Sequence, residues 1–408
     1  MATPKQFLRE YVKAIRDGNA AVFAGAGLSR PSGFVDWKEL LRPLADDIDL
    51  NIDEEHDLAA VAQYVRNKAG NRATINSSLL DAFSKDVSPN ENVSILTRLP
   101  IHTYWTTNYD HLIETGLQEA NRNSDVKIEY KQLSTTKRDR DAIVYKMHGD
   151  ADHASDAVLT KDDYIQYDRH YPLFRKVLQS DLISKTFLFI GFSFEDPNLD
   201  SILGQIKLLL DDCFMKKVIQ TASMTDEEFG YQKARQDLRE DDLKRYGVQT
   251  IFVNDYSEIT DILRTLERAV LSNNVFISGS ADFYNDEWPN AKIEDLAYQL
   301  ANQLIQEGFK VTSGFGLGIG SSVINGALDA IYTKKFKHID EHLCLRPFPQ
   351  GIADPNERKA KWKKYREEIL YNNGVAIFMI GNKKNMQGEK VIADGCLQEY
   401  QIAEENKC

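Results

Sequence analysis

Cysteine is scarce in this sequence. Its 408 residues include four, Cys213, Cys344, Cys396 and Cys408, and none of them stand in pairs at metal-ligand spacing. That excludes a zinc module of two Cys-x-x-Cys pairs and argues against a disulfide framework. Positive charge is also short, with a formal net charge of −12. Broad nucleic-acid or anionic-membrane surfaces need clustered cations, so neither partner is expected. Long apolar runs are missing too. The stretch 186–192 reads as a buried strand and is far too short to span a bilayer. At the N-terminus, Lys5, Arg9, Lys13 and Arg16 alternate with Phe7, Leu8, Tyr11, Val12 and Ile15. This is the spacing of an amphipathic helix, not of a signal peptide. A cytoplasmic protein is the expectation.

What is present is a soluble globular profile, 42% hydrophobic and 27% charged, in a chain too long for one ordinary core. Short β-branched or aromatic runs at 20–24, 102–107, 143–147, 186–190, 218–221 and 250–253 predict strands buried on both faces. Helical periodicity separates most of them. Trp37, Leu40, Leu41, Leu44 and Ile48 share one helix face, as do Leu199, Ile202, Leu203 and Ile206. The charged stretch 224–247 predicts a surface helix. Such alternation predicts an α/β fold with a parallel sheet. After Ser272 the pattern restarts, with strands at 275–277, 309–312, 342–345 and 375–380 and helices around 293–304, 323–331 and 359–370. Two Rossmann-like parallel-sheet domains are therefore expected, residues 1–271 and 272–408. Leu397, Tyr400 and Ala403 mark a helix face close to the last residue, so the second domain is expected to be incomplete at its C-terminus.

Four strand ends in the first domain carry unusual residues. Gly25, Ala26, Gly27, Leu28 and Ser29 follow the first strand. Small residues there suit either a pyrophosphate approached by backbone N–H groups or plain tight packing. Thr106, Thr107, Asn108, Tyr109 and Asp110 follow the second strand, where α/β sheets place ligand contacts, although Asp110 also fits an ordinary helix N-terminus. His148 and Gly149 close the strand at 143–147. Gly191, Phe192 and Ser193 follow the strand at 186–190, and Asp196 then reads as a helix cap with Pro197 at the first helical position.

Taken in order, Gly-Ala-Gly-x-Ser, Thr-x-Asn-x-Asp, His-Gly and Gly-x-Ser resemble the sirtuin family over roughly residues 10–270. The resemblance implies that NAD is held by Ala24, Gly25, Ala26, Gly27, Ser29, Asp36, Thr107, Asn108, Asp110, His148, Gly191, Phe192 and Ser193. It casts His148 as the catalytic base and Asn108 as its partner in catalysis. Deacylating sirtuins carry the zinc module that is missing here, so the expected reaction narrows to cleavage of the nicotinamide–ribose bond, with no metal. Nicotinamide leaves neutral from a pyridinium and the ribose gains oxocarbenium character. An amide can orient the substrate or a water, and an imidazole can take a proton near neutral pH.

In the second domain, Ser278-Gly279-Ser280 ends one strand, and Ser313 to Ser321 forms a Gly-rich turn before a helix. That turn suits a phosphate but lacks a P-loop lysine, so nucleotide triphosphate hydrolysis is not expected. Arg346, Arg366 and Lys383 are available cations or simply surface charges. This half resembles the nucleotide-sensing SLOG domains. Together with the segments 99–105, 346–351 and 381–383, it makes the whole chain similar to the sirtuin-like effectors of the bacterial Thoeris anti-phage system. That resemblance implies activation by a cyclic ADP-ribose isomer, made by a TIR-domain partner protein, and a homotetramer. It places the activator among Gly279, Ser280, Leu317, Gly318, Phe348, Arg366, Lys383, Gly395 and Glu399. An NAD-dependent protein deacylase and a non-catalytic nucleotide-sensing scaffold are the alternatives.

Overall fold

Seven of the strands are β1 (Ala20–Ala24), β2 (Thr103–Thr106), β3 (Ser124–Lys127), β4 (Ala142–Lys146), β5 (Thr186–Ile190), β6 (Cys213–Lys217) and β7 (Gln249–Val253). They form one sheet in the order β3-β4-β2-β1-β5-β6-β7, with every pair parallel. The structure is a computed structural model and describes residues 3–192, 213–217, 226–336 and 338–406. The chain divides into two compact units, Met1–Glu267 and Arg268–Cys408, inside the helix Ser257–Leu271.

β1 and β5 fall on the residues that the apolar runs predict, and β2, β4 and β7 end within one residue of prediction. β1 is small and wholly buried, and Phe187, Leu188 and Phe189 of β5 are inaccessible, as a central parallel strand requires. The predicted surface helix is present as Asp226–Arg245. The predicted strand at 218–221, the helix face at 199–206 and Ser193, Asp196 and Pro197 lie outside the described residues. β3 was not predicted, and neither were the helices Leu58–Ala69, Ala73–Phe83 and Glu91–Arg98 between β1 and β2.

Connectivity sets the position of the site. From β1 the chain moves to one side, through β2, β3 and β4, and then returns to β5 on the other side of β1. The strand order therefore reverses beside β1, the position at whose C-terminal strand ends open α/β sheets bind ligands.

The second unit has a four-stranded parallel sheet in the order β10-β9-β8-β11. Its strands are β8 (Asn274–Gly279), β9 (Lys310–Ser313), β10 (Leu343–Leu345) and β11 (Val375–Met379). A short antiparallel hairpin, β12 (Asn382–Lys384) with β13 (Lys390–Ile392), follows. The helices Asn290–Gln306 and Gly320–Lys334 pack Ile293, Ala297, Ala301 and Ile305 with Val323, Ala327, Ala330 and Ile331 in one buried cluster. Among the described residues, no helix is long and apolar enough to cross a membrane.

The contact between those two helices depends on Gly326. A Cβ there would run into the Tyr298 carbonyl and stand 2.9 Å from its Cα. Gly326→Ala should therefore destabilise the second unit by about 1–3 kcal/mol, the usual cost of overpacking. Denaturant unfolding followed by tryptophan fluorescence checks this, and an unchanged midpoint would contradict the packing argument.

Candidate active site

Strand register brings the four predicted strand-end motifs to one level. Ala24 pairs with Thr106 on one side and with Ile190 on the other, and Thr106 pairs in turn with Lys146. Gly25 and Gly191 each lie one residue beyond a registered pair, and Asn108 and His148 each lie two residues beyond one.

The Gly-rich loop packs against the end of β5. Gly25 N donates to Ile190 O at 3.0 Å, and Gly27 N donates to Gly191 O at 2.8 Å. Those two donors are engaged inside the protein, so the tight-packing reading of the glycines applies to them, not the phosphate-cradle reading. Gly191 has φ +66°, and a Cβ there would strike the backbone nitrogen of Leu28. Only glycine meets both demands. Phe192 is buried, with its ring edge against Phe23 at 5.2 Å. Asp36 is a helix cap: its carboxylate accepts from Glu39 N at 2.8 Å in a reciprocal box, and Arg30 stands 3.6 Å away.

Asn108 is buried and fixed in orientation. Its Nδ2 donates to Gly25 O at 3.0 Å and to Ser29 Oγ at 2.8 Å. The Gly25 carbonyl can only accept, which identifies Nδ2. Both amide hydrogens are thus engaged, and the oxygen Oδ1 is the group left for a substrate. Thr106 Oγ1 supports this turn by donating to Ala24 O and accepting from Asn108 N, both at 3.0 Å.

Asp110 follows on the same turn and is 4% exposed. One carboxylate oxygen accepts from Leu112 N at 3.0 Å, as the helix-terminus reading expected. The other, Oδ2, has no hydrogen-bond partner among the described residues. Burial pushes this carboxyl above its ordinary range, while the Ser29 hydroxyl, the Leu112 N–H and the charge of Lys146 pull it back.

His148 is also buried, and its ring neighbours two aromatics. Tyr164 meets it edge-on at 5.6 Å, and Tyr109 stands 6.5 Å away. Its carbonyl accepts from Val158 N at 2.9 Å, and the Tyr109 hydroxyl donates to Val158 O at 2.6 Å. Tyr164 is carried by the helix Lys161–Ile165, which Thr160 caps and an Arg72–Asp163 ion pair of 2.6 Å holds in place.

Sequence reasoning missed the charges behind this edge. Lys146 is wholly buried, 3.1 Å from Glu114 and 3.9 Å from Asp150. His111 and Asp152 lie alongside, 3.3 Å apart. Burial pushes the Glu114 carboxyl up, but Lys146 and His111 outweigh it and hold the group below its ordinary value. A hydrogen bond to Glu114 raises the His111 imidazole. Ligand-type atoms of His111, Asp150 and Asp152 fall within 4.8 Å of one another, but the cation beside them is Lys146. A cavity of about 180 Å³ opens next to them, lined in part by Phe34, His111, Leu112 and Asp152. The one signal in the sequence was a lysine inside an otherwise apolar strand.

In the second unit, Arg366, Glu399, Phe348 and Gly395 come together. Arg366 is buried, which corrects the expectation of an available or surface cation. Its Nε donates to Glu399 at 3.3 Å, its Nη1 donates to Gln398 at 3.1 Å, and its guanidinium lies 4.7 Å over the Phe348 ring. Gly395 leaves room for that guanidinium, since a Cβ there would stand 3.0 Å from it. Burial raises the Glu399 carboxyl, which also accepts a short hydrogen bond from Ser278, a residue not predicted for the site. Ser280 Oγ donates to Asn382 O, and Ala281 N donates to Leu317 O, both at 2.8 Å. These bonds tie the end of β8 to the hairpin and to the Gly-rich turn, where Gly318 has φ +75°. Gly279 lies at the end of β8, with Ile319 packed against it. Lys383 is half-exposed and paired with Asp394 at 2.7 Å.

Comparison with known proteins agrees with both halves. Residues 102–251 match the SIR2-like domain, and residues 258–408 match the Sir2- and TIR-associating SLOG family. The NAD(+) hydrolase ThsA of Bacillus cereus (strain MSX-D12) is 46% identical over 97% of this chain and 84% of its own length. The protein of the same name from Cytobacillus dafuensis is 44% identical over 99% of this chain and 84% of its own. Defense-associated sirtuin 2 of Bacillus subtilis is 28% identical over 51% of this chain and 21% of its own. With both domain families in place and relatives similar along nearly its whole length, the chain belongs to the family of the NAD(+) hydrolase ThsA.

Proposed function

We propose that this chain cleaves NAD+ to nicotinamide and ADP-ribose at the edge formed by β1, β2, β4 and β5. The observation that carries the reading is the placement of Asn108 and His148, each two residues beyond the registered Thr106–Lys146 pair that ends the adjacent strands β2 and β4, with the Asn108 amide locked by Gly25 and Ser29. The glycosidic C–N bond breaks and its electron pair leaves with nicotinamide. Water then adds to the ribosyl carbon and gives up a proton to His148. Asn108 acts through Oδ1, accepting from the carboxamide, a ribose hydroxyl or the attacking water. Asp110 Oδ2 is a second buried acceptor, suited to a ribose hydroxyl. No metal is assigned a role in these steps.

We further infer that the second unit is the switch. A cyclic ADP-ribose isomer, supplied by a TIR-domain protein, binds around Arg366, Phe348 and Glu399 and turns on NAD+ cleavage in a cytoplasmic homotetramer as anti-phage defence. Support comes from the chemistry of the pocket. A guanidinium and Lys383 suit a pyrophosphate, an aromatic ring suits a base or ribose, and a carboxylate suits ribose hydroxyls.

Chromatography of NAD+ and nicotinamide, with and without candidate cyclic ADP-ribose isomers, tests the activity. His148→Ala should lower turnover about 10²–10⁴-fold, the usual worth of a general base, while NAD+ still binds. Asn108→Ala should weaken both binding and turnover. Intact NAD+ in every wild-type sample would overturn the reading. Arg366→Ala should abolish stimulation by the isomer, and stimulation equal to wild type would remove Arg366 from the activator site.

A further inference from the structure

Lys146 is an unusual residue for its position. It ends β4, two residues before His148, and its side chain is completely inaccessible. A buried ammonium is costly unless its donors and charge are matched, and here both are. Nζ donates to Asp110 O at 2.7 Å and also reaches Tyr109 O and His111 Nδ1, each at 3.4 Å. Glu114 and Asp150 supply the countercharge, at 3.1 and 3.9 Å.

The atoms that Lys146 grips matter more than its charge balance. Two of them are main-chain carbonyls of the turn Asn108–Tyr109–Asp110, which projects beyond β2. Backbone hydrogen bonds of the parallel ladder stop at the strand ends, and this turn has left the ladder. Ala151 N donates to Tyr109 O at 3.1 Å, so the segment after His148 joins the same junction. We propose that Lys146 is a positioning residue, clamping the Asn108–Asp110 turn onto the end of β4 and so holding Asn108 in a fixed position relative to His148. This rests on the reading of Asn108 and His148 as the NAD+-cleaving pair.

The clamp has an electrostatic corollary. Asp110 faces Ser29 from the Gly-rich loop, Glu114 from the helix Leu112–Glu119 and Lys146 from β4. Burial and Glu114 favour its neutral form, and Lys146 favours the carboxylate. Removing Lys146 raises the carboxyl further, so a larger fraction is neutral at a given pH. If the ionised form is the acceptor for a ribose hydroxyl, the acid limb of the activity profile moves to higher pH.

The test uses Lys146→Met, and Lys146→Met combined with Glu114→Gln. The single variant leaves Glu114 and Asp150 short of a partner and should be less stable. The double variant removes the principal ion pair as a unit and should recover most of the melting temperature. If Lys146 positions the turn, the double variant folds yet cleaves NAD+ about 10²-fold more slowly, the scale of loss from a small misplacement of reacting groups. Where the single variant folds, its acid limb lies at higher pH than that of wild type. A double variant with turnover within about twofold of wild type would overturn the proposal, since charge balance alone would then be the function of Lys146. If wild type itself releases no nicotinamide with or without the candidate cyclic ADP-ribose isomers, the activity reading fails separately, and NAD+ affinity by calorimetry decides about Lys146. A loss of about tenfold or more in the double variant supports the clamp, and unchanged affinity overturns it.

Discussion

The first unit depends on parallel register. Because Ala24 pairs with both Thr106 and Ile190, and Thr106 with Lys146, four strands end at one level around the point where the sheet changes direction. Each strand then delivers a short turn to that level. The ladder fixes height but cannot fix what the turns do beyond it. That is left to side chains: Asn108 tying the second turn to the first, the glycine contact of Gly191 closing the fourth onto the first, and Lys146 tying the second to the third.

This division of labour explains what could be read from sequence. β1 and β5 are continuous apolar runs with no competing pattern, and their limits were legible. β3 was not, because its residues are Ser124, Asp125, Val126 and Lys127. It sits at the sheet edge and buries an Asp125–Lys127 pair at 2.8 Å where an apolar pair would be expected. The β12–β13 hairpin is polar for the same reason, with Lys383, Lys384 and Lys390 along it.

The site was legible to the extent that its residues lie at strand ends. Asn108, Asp110 and His148 stood out because α/β sheets place ligand contacts at strand ends, and the sirtuin-like order of the four motifs supplied the roles expected of them. Lys146 was hidden because its meaning lies in its partners. Glu114 comes from a helix and Asp150 from a loop, and no local pattern signals that they meet a lysine of β4. The glycines of the first loop were open to two readings. A Gly-rich turn serves close packing or anion binding, and here the N–H groups of Gly25 and Gly27 answer to β5 and its following turn. In the second unit the sequence marked Arg366 and Glu399 separately, and the fold made them a buried pair with Phe348 over the guanidinium.

The most direct measurement is the position of NAD+ in a crystal of the His148→Ala variant, in which cleavage is slowed and the dinucleotide can persist. The account predicts the nicotinamide–ribose bond between Asn108 Oδ1 and the space vacated by the imidazole, with a ribose hydroxyl near Asp110. A dinucleotide whose nicotinamide end lies away from the ends of β2 and β4 would contradict it.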